Sequence, residues 1–199
     1  MAQRPTFTEF RELKERLQKL LPDQLREVLQ HPRTLGSLLE EKSPFLGRHL
    51  LSAASNLAEP FTAGMGLRVL QLSEERIEVV LPDWWRNHDS EGSLHNSALS
   101  VLGEFTARVF WERHLDLRRS QMRVLRAEAK FLKKISSEVR ATLQMSEAER
   151  EGVLFRLRSQ GEVTVESAVT IYDSKEQLAA LLLIEWQFVR AKELPQAGI

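Results

Sequence analysis

The segment from His95 to His114 constrains this 199-residue chain more than any other. Ala98, Val101, Leu102, Phe105 and Val109 recur at helical spacing on one face, and most of the remaining positions are apolar too. A helix that is apolar nearly all round must be enclosed by other elements. The flanking segments alternate instead, which is the pattern of half-buried strands.

In front of the helix, Leu67 and Val69, then Ile77 and Val79 after the turn at Ser73-Glu74-Glu75, predict a strand pair ending at Pro82. Behind it, residues 121–131 and 138–143 alternate. Ser146 and Glu149 then stand at capping-box spacing for a helix towards Ser159, and residues 162–172 and 177–190 give two long strands. The order is strand, strand, buried helix, strand, strand, helix, strand, strand, with no Gly-rich phosphate loop. It predicts an α+β fold in which an antiparallel sheet wraps the long helix.

Residues 1–58 read as a helical extension. Thr6 and Glu9 have capping-box spacing, and Phe7, Phe10, Leu13, Leu17, Leu20 and Leu21 follow at helical intervals. A second helix is expected over 22–30, and a third opens with Ser43 as N-cap and Pro44 at the first helical position. The expected organisation is an extension at 1–58, a sheet-and-helix domain at 59–192 and a tail at 193–199.

Acidic and basic residues balance at 28 each, so no long-range field gathers nucleic-acid phosphates. There are no cysteines, which excludes thiolate nucleophiles, disulfides and Cys-ligated zinc. His88 and His114 lack acidic neighbours at metal-ligand spacing, so no metal site is expected. The absence of a long apolar run and of a signal-peptide pattern predicts a cytoplasmic protein without a membrane span.

The run Gly92-Ser-Leu-His95-Asn-Ser-Ala-Leu-Ser-Val-Leu-Gly-Glu104 resembles the entry to the central helix of hotdog-fold acyl-CoA thioesterases of the phenylacetate-degradation (PaaI-like) type. In these a His-Gly-Gly opening precedes a carboxylate nine residues after the His. Ala127-Glu-Ala-Lys-Phe-Leu-Lys-Lys134 resembles the third strand of that family, and a helix between strands four and five is similar to one of its branches. The sequence departs from the pattern at Asn96 and Ser97, where the family has glycines.

The resemblance implies hydrolysis of an acyl-CoA or acyl-carrier thioester, with coenzyme A as part of the substrate and no separate cofactor. It implies Glu104 as general base or nucleophile, acting across the subunits of a homodimer or homotetramer whose sheets pair edge to edge. The amides of Asn96 and Ser97, at a helix N-terminus where N–H groups are unpaired, would stabilise the oxyanion. Asn87 would hold the attacking water, His95 would orient the loop or polarise the carbonyl, and Lys133, Lys134 and Arg140 would meet the phosphates of coenzyme A.

Each of these residues also has a plainer reading. Glu104 belongs to a stripe with Ser97, Ser100, Arg108 and Trp111, and with Arg108 it has the spacing of a surface ion pair worth a few tenths of a kcal/mol. Asn87 suits a turn, His95 a helix cap, the basic residues a solvated cluster, and Trp84 and Trp85 simple packing. Beside a hydrolase, the sequence is compatible with a non-catalytic acyl-CoA-binding sensor or scaffold. A regulator with a DNA-binding extension and a hydratase using His95 with Glu104 also remain open.

Overall fold

The computed structural model describes residues 60–117 and 119–190. The expected helical extension at 1–58 and the tail at 193–199 lie outside these residues. A short helix α1 (Pro60–Ala63) leads into strands β1 (Arg68–Leu72) and β2 (Arg76–Leu81). The long helix α2 (Asn96–His114) follows, then β3 (Ser120–Phe131), β4 (Val139–Gln144), helix α3 (Glu147–Gln160), β5 (Glu162–Asp173) and β6 (Leu178–Arg190). Apart from α1, which the periodicities do not predict, these are the predicted elements in the predicted order.

All five strand pairings are antiparallel, in the order β1-β2-β4-β5-β6-β3. Alternation along β5 and β6 turns Val163, Val169 and Ile171 with Leu182, Ile184, Trp186 and Phe188 to one face, and all are buried. Helix α2 lies on that face, against β2, β4, β5 and β6. Its residues Leu99, Leu102, Phe105 and Phe110 complete the core. Burial of apolar area at about 25 cal/mol per Å² holds helix and sheet together.

Among the described residues, strand β3 is an edge, hydrogen-bonded on one side only to β6. Ala127 stands opposite Ile184 and Ala129 opposite Leu182, so both share the core-side face, yet both are exposed. Among the described residues, helix α2 packs chiefly as far as β6 and leaves this margin of the sheet uncovered.

Local signals set the helix ends. Ser146 and Glu149 form the expected reciprocal capping box, and α3 ends on Gly161 in the left-handed conformation (φ 79°). His95 caps α2 through its ring. Two expectations are corrected. Trp111 is not on an open stripe: it is fully buried, packed edge-on against Phe188, with ring centroids 4.9 Å apart. Val101, placed on the buried face by its spacing, is half-exposed. Both deviations have one cause, which is that α2 is covered more deeply at its C-terminal end than at its N-terminal end.

Candidate active site

The start of α2, the β3–β4 connection and the β5–β6 turn meet at one end of the sheet. The Leu94 N–H donates to the Ile135 carbonyl at 2.7 Å, and the Leu132 N–H to the Ala179 carbonyl at 2.9 Å. Asn87 ties in the loop before α2. Its Nδ2 donates to the carbonyls of Met65 (3.1 Å) and Pro82 (3.0 Å), and its backbone carbonyl accepts from the His95 N–H at 2.8 Å. With only 2% of its surface exposed, Asn87 is a structural clasp whose amide hydrogens are already committed. Its Oδ1 is buried without a hydrogen-bond partner among the described residues, so an acceptor is what it can offer to a water.

At the head of α2 the two amides expected to act together differ. The Ser97 N–H donates to Nδ1 of His95 at 3.0 Å, whereas the Asn96 N–H has no hydrogen bond among the described residues. The Ala98 and Leu99 N–H groups both go to the His95 carbonyl. One N–H therefore points out of the helix end unpaired, where the helix dipole favours negative charge. The second is reached only by displacing the His95 ring.

Two turns further on, Glu104 is on the open side of α2 with 41% of its side chain exposed. Its Oε1 accepts from Nη2 of Arg108 at 3.0 Å. The predicted ion pair is thus present, and it leaves the second carboxylate oxygen outside that contact. Gly103, just before it, faces β6. A methyl group there would come within 2.5 Å of Cδ2 of Leu182. Spacing and motif assign Gly103 no role, although a lone glycine inside an apolar helix is a signal of close packing.

The basic residues gather at the same end but are already engaged. Lys133 donates to Asp173 (2.6 Å) and Gln177 (2.9 Å), Lys134 pairs with Glu91, and Arg140 pairs with Glu176. The Lys133 hydrogen bond, helped by the Gln177 N–H, holds the Asp173 carboxyl below its ordinary range, and Glu91 raises Lys134. The pairs of Lys134 and Arg140 reach exposed carboxylates and are worth about 0–1 kcal/mol each, whereas that of Lys133 with Asp173 is part-buried.

His88 and His114 do have carboxylate neighbours in space, Asp83 and Glu74 respectively. No group of three or more potential metal ligands occurs among the described residues. The expectation of simple packing holds in part for Trp84 and is corrected for Trp85. Trp84 lies over Gly66 but is half-exposed, and Trp85 is 78% exposed with the Arg86 guanidinium 5.5 Å from its ring centroid.

A six-stranded antiparallel sheet wrapped on one buried helix, with a helix between strands four and five, is a hotdog fold, and solved structures share it. A Pseudomonas aeruginosa protein described as a "probable thioesterase" matches with a TM-score of 0.66 at 16% identity, over 71% of this chain and 95% of that one. A mutant thioesterase from the same organism gives 0.57 at 16%, over 70% and 94%. A Haemophilus influenzae thioesterase gives 0.55 at 15%, over 68% and 87%. The chain belongs to the family described as a domain of unknown function, DUF4442, which it matches over residues 47–188. That match starts ahead of the boundary expected at residue 59. No curated protein matches the sequence. No helix among the described residues is long and apolar enough to cross a membrane.

Proposed function

We propose that this protein hydrolyses an acyl thioester, of coenzyme A or of an acyl carrier, with Glu104 as the general base. The observation that carries the reading is a half-open carboxylate on the central helix of a hotdog fold whose N-terminus presents an unpaired N–H at Asn96. Glu104 takes a proton from water as the water oxygen bonds to the thioester carbonyl carbon. The Asn96 amide hydrogen-bonds the oxyanion, worth about 3–4 kcal/mol at such sites. Collapse breaks the C–S bond, and the proton passes from Glu104 to the leaving thiolate, giving a carboxylic acid and a thiol.

Geometry bears on the number of protomers. Residues 96 and 104 lie eight positions apart on one helix, or about 12 Å along its axis. Serving one thioester from both positions of the same protomer would take most of the reach of the Glu104 side chain together with the bridging water. In this reading the amide and the carboxylate come from different protomers of a homodimer, joined through the exposed edge β3. The exposed Ala127 and Ala129 fit a face that a second copy covers.

The test uses an acyl-CoA panel with two variants. Glu104→Gln should lower kcat by 100-fold or more. Asn96→Pro deletes the N–H at a first helical position, where proline is tolerated, and should act similarly. Mixed and reassembled, the two variants should regain up to half of the parental activity per hybrid dimer. A parent inactive on every thioester, or a Glu104→Gln variant as fast as the parent, rejects the assignment.

A second reading has its own observation. With Asn96 and Ser97 in place of glycines and the His95 ring on the Ser97 N–H, the helix end is partly closed. A protein that binds acyl-CoA without turning it over fits that arrangement. Saturable binding of a non-hydrolysable acyl-CoA analogue, with no turnover of its thioester, would select it.

A further inference from the structure

Glycine weakens a helix relative to alanine, so Gly103 in the middle of α2 calls for a reason. The space around it supplies one. A Cβ at this position would lie 2.5 Å from Cδ2 of Leu182 and 3.1 Å from both Cδ1 and Cγ. By contrast, a Cβ on Gly152 in α3 meets nothing within 4 Å.

Leu182 is 1% exposed and is flanked in register by Val169 on β5 and Ala129 on β3. The contact therefore joins the turn of α2 that carries Glu104 to the strand beside the uncovered margin of the sheet. A methyl group at 103 leaves two ways out. Either α2 lifts from β6 and carries Glu104 with it, or Leu182 swings over the small side chain of Ala129 towards the exposed margin of the sheet.

We propose that Gly103, through its contact with Leu182, is the positioning residue that sets the depth of Glu104 over the sheet. The proposal rests on the thioesterase reading of Glu104. Reaction geometry is sensitive to displacements of about 1 Å, which can cost 100-fold in rate. A displaced base slows the chemical step while leaving remote substrate contacts in place.

The experiment is a double-mutant cycle on the full chain, with steady-state kinetics on whichever acyl-CoA the parent hydrolyses and thermal unfolding of each variant. Gly103→Ala should lower kcat at least tenfold with KM within about twofold, and Gly152→Ala should leave both unchanged. Adding Leu182→Ala, which clears the space, should bring kcat back to within threefold of the Leu182→Ala single variant. Where that variant does not fold, Leu182→Val, lacking the carbon at 2.5 Å, takes its place.

Unchanged kcat in Gly103→Ala, or a loss that neither Leu182 variant relieves, overturns the positioning role even if the unfolding temperature falls. Loss of kcat and recovery in step support it. A parent that hydrolyses no thioester overturns the functional reading and this inference together, whereas an active parent with an indifferent Gly103→Ala overturns this inference alone.

Discussion

The indole N–H of Trp111 donates to the hydroxyl of Ser167 at 2.9 Å, joining α2 to β5 inside the core. Both residues are buried, so neither can turn to water for a substitute. The bond fixes the C-terminal half of the helix that carries Glu104, and it explains why a residue at the spacing of an open stripe is enclosed.

Ser167→Ala should therefore cost about 1–3 kcal/mol, the penalty for a buried donor left unsatisfied. Denaturant unfolding measures it as a lower midpoint at an unchanged slope. A loss below about 0.5 kcal/mol would mean that the indole finds another acceptor.

Asn87→Asp tests the clasp before α2. The substitution keeps the shape but sets carboxylate oxygens against the carbonyls of Met65 and Pro82, where two N–H donors now stand. It should cost at least about 2 kcal/mol, because a buried acceptor meets only acceptors. The deficit should grow as pH rises, since ionising the buried carboxyl is harder in the folded than in the unfolded state. Equal stability of the variant and the parent at neutral pH would remove the clasp from the account.

At the other end of α2, Glu74 meets Arg113 (2.8 Å), His114 (3.5 Å) and Arg150 (3.7 Å). Burial pulls its carboxyl upward, but the Arg113 hydrogen bond and the charges of Arg113, His114 and Arg150 outweigh it, leaving the group below its ordinary value of 4.5. A carboxyl lowered in the folded state stabilises the fold above its unfolded value, and that contribution disappears as pH falls through the folded value. Glu74→Gln should thus be less stable than the parent at neutral pH, with the gap closing as pH falls through and below the ordinary carboxyl value of 4.5. A gap independent of pH would show that the ion pairs contribute nothing.

Much of this architecture was legible in the amino-acid order. Alternation in residues 162–172 and 177–190 gave β5 and β6 nearly to the residue, and Ser146 with Glu149 marked the start of α3. Spacing also gave the Glu104–Arg108 pair. These features are local, set by side chains within a few positions of one another. Less legible were the states of the candidate site residues. That His95 takes up the Ser97 N–H, that Asn87 spends its amide hydrogens on Met65 and Pro82, and that Trp85 stays exposed all depend on how the loop from 82 to 95 is laid down.

By itself the sequence determined the kind, order and extent of the elements, because apolar periodicity is written along the chain. Only the tertiary structure decided that β3 pairs with β6 at the sheet's edge, that Trp111 reaches Ser167, and that Gly103 rests on Leu182. These contacts join residues 49 to 79 positions apart. Such contacts are selected by how well the whole core packs, a condition that no window of the sequence contains.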